Sequence, residues 1–327
     1  MNPPSLSPRR AAFTLTELLV VVSIIGLLVG LTLPAIQGAR ESARKAQCGN
    51  NLRQIAMGVL RFQSQKGGKL PTSVNPGVSG SPGLASLTQI LPFIDKQVMF
   101  NKYDTTKNWY EGPNVVVSGT RVEIYQCPSS PEGTRLDGQA DKVPWDAGPA
   151  APTDYSAVTG VDQRLHGANM VDAYGPGFLA KNTPARIEHV LDGMSTTILL
   201  AESAGRPALY QRGGKIGEVP SQRVNGGGWA RPETDFALDG ASQNGSTLPG
   251  DFGINATNGE DVGSSSFPHP YYGTEGSGEI YSFHPGGAHV ALGDGSVRLL
   301  SDSIRIRELA KLVTRQGDEL VSLADEK

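Results

Sequence analysis

The sequence of 327 residues has few aromatic residues, few charges and no long basic run. Aromatic side chains make up 6% of the chain and charged side chains 19%, and the formal net charge is -3 at pH 7. Binding to nucleic acid depends mainly on clustered lysine and arginine side chains, and no segment supplies such a cluster. We therefore expect no nucleic-acid partner.

Sequence motifs of common catalytic and cofactor sites are also missing. There is no phosphate-binding Walker loop, no dinucleotide fingerprint, no paired-cysteine zinc motif and no EF-hand spacing. None of the five histidines lies in a known nucleophile motif with a serine or cysteine. These absences predict a protein that is not an enzyme and that requires no cofactor and no metal.

Cysteine is scarce, since Cys48 and Cys127 are the two in the chain. In an exported domain they could form a disulfide, which would stabilise the fold by about 4 kcal/mol because the loop that it closes is long. Two unpaired, buried thiols are the alternative. The sequence leaves both open.

Glycine and proline, in contrast, are abundant, with 41 and 23 residues. This composition is more typical of a loop-rich β domain than of a helical one. We predict such a domain over residues 67–327, which follow an apolar N-terminal region.

The longest apolar run covers residues 13–33, and Glu17 is its one charged residue. As a helix these 21 residues would extend for about 32 Å, which matches a bilayer core of about 30 Å. Basic residues flank the run on both sides, so the positive-inside rule does not decide its orientation. We predict one pass through the inner membrane, with the glycine-rich body extracytoplasmic, in the periplasm or at the cell surface.

Three interpretations of this run are open. It is a cleaved signal peptide, a permanent anchor with Glu17 near the headgroups, or a processed membrane helix. A signal peptide would need small residues before its cleavage site, and these are poorly placed here. A carboxylate in apolar surroundings is usually paired. A cut before Phe13 would create an α-amino group four residues from Glu17, which favours the third interpretation.

The stretch RRAAFTLTELLVVVSIIGLLVGLTLPAI resembles the cleavage and methylation segment of type IV prepilins and type II secretion pseudopilins. The resemblance implies that a prepilin peptidase removes a leader, residues 1–12, by cutting between Ala12 and Phe13, and that the Phe13 amine is methylated. Residues 13–34 would then pack with other pilin-like subunits in a filament core or remain in membrane lipid. The family usually has glycine before the cut, where this sequence has Ala12.

Residues 35–66 are predicted to continue the same helix with one apolar face. Apolar residues recur there at the i, i+3, i+4, i+7 and i+8 spacing of an amphipathic helix, at Leu52, Ile55, Ala56, Val59 and Leu60. Pro34 is expected to kink or loosen the helix, and Gly67-Gly68 to end it.

The C-terminal region has the clearest β pattern. Strands are predicted at 280–284, 289–292 and 296–300, with a tight turn at Asp294-Gly295 because glycine tolerates a positive φ angle. Asp302 or Ser303 is expected to cap a short helix that runs to about Val313. Further strands are predicted at 122–131 and 197–201.

His284, His289 and Asp294 have residue types that bind metals. A hairpin could bring His284 near Asp294, but a metal site needs at least three ligands, and the two histidines could also end on opposite faces. We therefore interpret His284, Asp294 and Gly295 as structural residues, with the histidine hydrogen-bonded to the turn.

His284, nine intervening residues and Asp294-Gly295 resemble the His-x9-Asp-Gly signature of a large bacterial family called domain of unknown function 1559. The segments QCGNNLRQIAMGV, QCPSSP and DGMSTTILLAES match this family in the same order. The resemblance implies an α+β, pilin-like fold. A long N-terminal helix, membrane-spanning in its first half and amphipathic in its second, would pack on a mainly antiparallel, loop-rich β domain.

Two functions follow as hypotheses. The first is a pseudopilin-like structural subunit that assembles into a type IV pilus or type II secretion-like filament. The second is a permanently anchored binding module whose ligand would be a polysaccharide or a secreted protein. The features that favour the second are aromatic residues in the predicted loops, above all Trp109, Trp145 and Trp229.

Overall fold

The computed structural model describes residues 14–74, 82–131, 135–138, 150–183, 185–217, 223–263, 271–272 and 275–317. Ala12, Phe13 and Trp145 lie outside the described residues. Two compact units are present, one ending at Arg44 and the other starting at Lys45.

Helix α1 covers Leu15–Gln65 and continues across Pro34. The prediction of one long N-terminal helix is confirmed. Gly67 and Gly68, which follow it, have φ angles of 61° and 87°. Glycine enters this left-handed region without the steric cost that a side chain brings, and so the pair can end the helix.

The second half of α1 packs through the predicted apolar face. Leu52, Ile55, Ala56 and Val59 are buried in a hydrophobic core, while Leu60 at the edge of the face is half-buried. The core also includes residues of the sheet. The helical spacing therefore identified the face that contacts the domain.

Six strands form the main sheet of the described part of the chain. They are β1 (Tyr155–Val161), β2 (Gly175–Pro176), β3 (Ile198–Glu202), β6 (Phe236–Leu238), β7 (Gly287–Leu292) and β8 (Val297–Ser301). Their order is β2-β1-β3-β7-β8, with β6 also paired to β1, and every pair is antiparallel except β1 with β6. A separate hairpin consists of β4 (Tyr210–Gln211) and β5 (Gly214–Lys215).

Short helices complete the fold. They are α2 (Ser86–Gln89), α3 (Gln97–Phe100), α4 (Asn114–Ser118), α5 (Gln163–Gly167) and α6 (Ile306–Lys311), with a 3-10 turn at Leu91–Ile94 between α2 and α3. The fold is α+β, with a long N-terminal helix and a mainly antiparallel sheet, as predicted.

The sheet is covered on both faces. One core cluster contains the second half of α1, and another contains α6 together with Ile304 and Val313. Strands β1, β3 and β7 contribute side chains to both clusters, and every residue of β3 and β7 is buried. Strands buried on both faces are usually continuous apolar runs. Glu202 of β3 and His289 of β7 are therefore unusual, because they are polar residues in strands that are buried on both faces.

The C-terminal hairpin agrees in part with the predictions. The predicted strands 289–292 and 296–300 correspond to β7 and β8, and Gly295 in the turn has a φ angle of 83°. The predicted strand at 280–284 is wrong, because Ile280 and Tyr281 make only isolated bridges with short, irregular segments. The predicted cap of α6 is also wrong, because the helix follows Arg305 without a side-chain cap and the Ile306 N–H donates to Asp251 O at 3.0 Å.

The predicted strand at 122–131 is wrong as well. This segment contains a 3-10 turn at Glu123–Tyr125. The buried Tyr125 hydroxyl donates to Leu87 O at 2.8 Å, and the Asp154 N–H donates to Tyr125 O at 2.8 Å. These contacts with distant segments hold the backbone in a turn that local β propensity does not indicate.

We predict that Leu52→Ala destabilises the domain by about 2–5 kcal/mol, because it leaves a cavity in the core beside α1. Leu191→Ala is the matched control, since the Leu191 side chain is 71% exposed whereas that of Leu52 is 0% exposed. It should change the free energy of unfolding by about 0.5 kcal/mol or less. Urea unfolding of the full chain in detergent, followed by tryptophan fluorescence, measures both. Equal effects of the two variants would contradict the packing of α1.

Candidate functional site

The first turn of α1 carries a reciprocal cap made by Thr14 and Glu17. The Thr14 N–H donates to Glu17 Oε2 at 2.9 Å, and the Glu17 N–H donates to Thr14 Oγ1 at 3.2 Å. The Thr14 hydroxyl also donates to Glu17 Oε2, at 2.7 Å. This is a capping box, which pairs backbone N–H groups that have no partner within the helix. The Thr-x-x-Glu spacing of this cap is a local signal that the sequence carries, and it gives Glu17 a second role beside the predicted pairing with an amine.

The apolar part of α1 leaves its side chains exposed. Large hydrophobic residues from Leu15 to Ile36 are about half exposed or more. Within the described residues, α1 is the one helix long and apolar enough to cross a membrane, and its most apolar window has a mean hydropathy of 2.6. Exposed apolar area of this extent needs lipid or protein to cover it.

A second candidate site lies where α1 enters the core. Cys48 of α1 and Cys127 are joined by a disulfide, with 5.0 Å between their Cα atoms. Both cysteines are buried, and 79 residues separate them in sequence. The bond therefore ties the helix covalently to the segment that follows the Glu123–Tyr125 turn.

Three polar side chains surround this disulfide. His284 Nε2 lies 3.3 Å from Cys127 Sγ and 3.6 Å from Glu202 Oε1. The other carboxylate oxygen, Glu202 Oε2, accepts the His289 N–H at 2.8 Å and lies 3.2 Å from His289 Nδ1. Glu202 and His284 are both buried. The three polar side chains and the disulfide thus form one polar cluster inside the core.

The charge of Glu202 is stabilised by its neighbours. Burial alone raises the pKa of the Glu202 carboxyl, but the polar contacts with His284 and His289 and the electrostatic interaction with His289 outweigh this effect and hold the pKa below its usual value. An ionised carboxylate in the core is costly unless it is paired in this way. Glu202 was not identified from the sequence. The one available signal was an acid at the end of the apolar run TTILLAE.

The signature residues have separate roles. The Nε2 atom of His284 contacts the disulfide at Cys127 and the Glu202 carboxylate. Asp294 lies exposed in the β7–β8 turn, where its Oδ1 accepts the Ser296 N–H at 2.8 Å. A metal site made of His284, His289 and Asp294 is not formed. Among the described residues, the cluster with metal-ligating side chains close together consists of Cys48, Cys127, Glu202 and His284.

Trp109 and Trp229 do not provide an exposed binding surface. Trp109 and Trp229 are fully buried, and the Trp229 indole N–H donates to Thr120 O at 3.0 Å. The hypothesis that these two side chains bind sugar is therefore wrong, because their rings fill the core.

An open cleft of about 510 Å³ lies instead beside the β1 and β6 strands. The guanidinium of Arg164 lies 4.0 Å from the centre of the Tyr271 ring, and it forms two hydrogen bonds with Asp239, of 3.1 and 2.6 Å. Burial raises the pKa of Asp239 to about 6, and the neighbouring Asp162 and Glu260 act in the same direction against Arg164. The cleft therefore combines an aromatic ring with several charged groups.

Comparison with known protein families accounts for nearly the whole chain. A family described as protein of unknown function (DUF1559) matches residues 37–307. The prokaryotic N-terminal methylation motif matches residues 7–33, which include Ala12, Phe13 and Glu17. No curated protein and no solved structure matches the chain.

The N-terminal family match and the exposed apolar surface of α1 lead independently to the same conclusion. A methylation motif of this kind is the mark of type IV pilin-like proteins, and it lies on the one described helix that could span a membrane. The protein is therefore a membrane-anchored, type IV pilin-like protein, and by its match over residues 37–307 it belongs to the DUF1559 family.

Proposed function

We propose that the protein is a pseudopilin-like structural subunit that is processed before Phe13 and assembles with other pilin-like subunits into a type IV pilus or type II secretion-like filament. The observation that carries this proposal is the methylation motif at residues 7–33 on a helix whose apolar side chains are uncovered. Prepilin peptidase would remove residues 1–12 and methylate the new amine.

Glu17 serves two purposes in this proposal. Its carboxylate accepts the Thr14 N–H at 2.9 Å and so lies at the N-terminal end of α1. Cleavage before Phe13 would create a positive amine one residue from Thr14, at the same end of the helix. The carboxylate would pair with that amine, in its own or a neighbouring subunit, and would lower the cost of placing charge in apolar surroundings.

The location proposed for the domain is outside the cytoplasm, with α1 in the inner membrane. The disulfide between Cys48 and Cys127 supports this location, because such bonds persist in the oxidising periplasm and are rare in the cytosol. In the membrane, lipid would cover the apolar half of α1. In a filament, the same side chains would pack against their copies.

We propose a structural rather than an enzymatic role. The arrangement most similar to a catalytic dyad is Glu202 with His284, and this pair is buried against the disulfide. Its contacts are those expected of a polar group that stabilises the core.

We predict that the purified protein begins at a methylated Phe13. Intact-mass analysis should give the mass of the chain without residues 1–12 plus one methyl group. Ala12→Gly is an informative variant, because glycine is the usual residue before the cut in the prepilin family, and it should raise the processed fraction. A chain that retains Met1, or whose first residue is not Phe13, would contradict the proposal.

We predict that Glu17→Val prevents assembly but leaves the protein in the membrane fraction, since it removes the partner of the amine and keeps the helix apolar. Glu17→Gln separates the two roles of this side chain, because glutamine retains the capping hydrogen bonds and loses the charge. Both variants should lose cross-linked multimers and sheared filaments. If Glu17→Gln assembles like the unmodified protein, the cap alone is sufficient and pairing with the amine is wrong.

The cleft beside Tyr271 favours a second candidate function, a permanently anchored module that binds polysaccharide. Tyr271 is 49% exposed and offers a ring for packing against a sugar, while Asp162, Asp239 and Lys181 line the same cleft with hydrogen-bonding groups. Sites of this composition suit hydroxyl-rich ligands.

For this second function we predict that Tyr271→Ala weakens glycan binding by the full chain in detergent by about tenfold, which corresponds to about 1.4 kcal/mol. Tyr174→Ala is the control, because Tyr174 is 48% exposed and does not line the cleft. A glycan array identifies the ligand and titration measures the change. Binding that is absent, or equal in both variants, would exclude the cleft as a glycan site.

A further inference from the structure

We propose that the reduced form of the protein binds one Zn²⁺ ion through Cys48, Cys127, Glu202 and His284. The disulfide and the metal would then be alternative ways to hold α1 to the domain. This inference does not depend on filament assembly.

The four side chains lie close enough together to form a tetrahedral site once the disulfide is reduced. One ligand atom from each lies within 4.8 Å of the others. Zinc bonds of about 2.0–2.3 Å place neighbouring ligand atoms about 3.3–3.8 Å apart. The distances from His284 Nε2 to Cys127 Sγ and to Glu202 Oε1 are 3.3 and 3.6 Å. The main change that a metal requires is that the two sulfur atoms separate after reduction.

Glu202 is positioned as a ligand with one oxygen held and the other available. Its Oε2 accepts the His289 N–H at 2.8 Å, which fixes the carboxylate. Its Oε1 is buried and accepts no hydrogen bond from the described residues. A buried carboxylate oxygen without a hydrogen bond is uncommon, and the 3.6 Å contact of Oε1 with His284 Nε2 is too long for a hydrogen bond and compensates its desolvation only in part. Coordination to a cation would compensate it.

The chemistry of the set also favours zinc. Two thiolates, an imidazole and a carboxylate are all common zinc ligands, and together they would carry three negative charges against the charge of the ion. His289 would hold Glu202 from the second shell of the site, as outer hydrogen bonds do in known metal sites.

A cavity connects this cluster with the surface. It has a volume of about 500 Å³, and its lining includes Cys127, Gln126, Asn51 and Gln47. A dithiol or a metal ion that enters this cavity comes next to Cys127 without passing through the apolar core.

The disulfide form would convert to the zinc form in two steps. A dithiol reductant attacks the disulfide and transfers two electrons and two protons to Cys48 and Cys127, and it is itself oxidised to a disulfide. Zn²⁺ then displaces the two thiol protons to solvent as the thiolates bind. Reoxidation by a disulfide oxidant reverses both steps and releases the ion.

This site would stabilise the newly exported chain before oxidation. Reduction removes the covalent tie between α1 and the segment at Cys127, and it leaves the charge of Glu202 inside the core. Zinc would replace the tie through the same two residues and coordinate the buried carboxylate of Glu202. The reduced chain would thereby keep the packing of Leu52 and Ile55 against the sheet.

The experiment uses the full chain in detergent, reduced with dithiothreitol and freed of the reductant under anaerobic conditions. We predict that it binds one equivalent of Zn²⁺, and that Co²⁺ in its place gives thiolate charge-transfer absorption and the visible bands of a tetrahedral site. The oxidised chain should give neither. A reduced chain that binds less than one equivalent, or a cobalt complex without thiolate absorption, would overturn the proposal.

Single variants test the ligand set. Cys127→Ser, Glu202→Gln and His284→Ala should each weaken Zn²⁺ binding by at least about tenfold. His166→Ala is the matched control, since His166 is exposed and lies outside the cluster, and it should bind like the unmodified chain. Circular dichroism separates loss of a ligand from loss of the fold. Folded ligand variants with unchanged affinity would also overturn the proposal.

Discussion

The packing of the second half of α1 into the core is the contact on which the rest of the structure depends. Leu52, Ile55 and Val59 lie in the same cluster as residues of β1, β3 and β7, and Cys48 adds a covalent bond to Cys127. Because this half is covered by the domain, the apolar half that precedes it is left for lipid or for other subunits. One continuous helix thus meets two kinds of surroundings, and its sequence changes character between them.

The polar cluster beside the disulfide is one of several places where the interior carries charge, and the buried ion pairs Arg135–Asp154 and Arg231–Asp137 are others. Glu202 ends a strand that is otherwise apolar, and it is tolerated because His284 and His289 contact both of its oxygens. Buried polar groups stabilise a structure only when their partners are correctly placed. The same placement that pairs the carboxylate brings it next to two sulfur atoms, so a structural requirement of the core also produces a set of potential metal ligands.

Local patterns predicted some elements correctly and failed for others. The face of α1 and the β7–β8 hairpin were predictable, because helical spacing and a glycine turn are properties of neighbouring residues. The turn at Glu123–Tyr125 and the start of α6 were not, because Tyr125 is held by Leu87 and Asp154, and Ile306 by Asp251. The capping box of Thr14 and Glu17 could also be predicted from the sequence, because its two residues are only three positions apart.

Composition and periodicity are enough to predict an apolar N-terminal helix with an acid near its start, an amphipathic continuation and a loop-rich β domain. These features depend on residues that are neighbours along the chain. The contact of Glu202 and His284 with the Cys48–Cys127 bond, and the burial of Trp109 and Trp229, follow instead from the packing of distant segments. Contacts of this kind join residues far apart in sequence, and they exist only because the packed core brings the segments together.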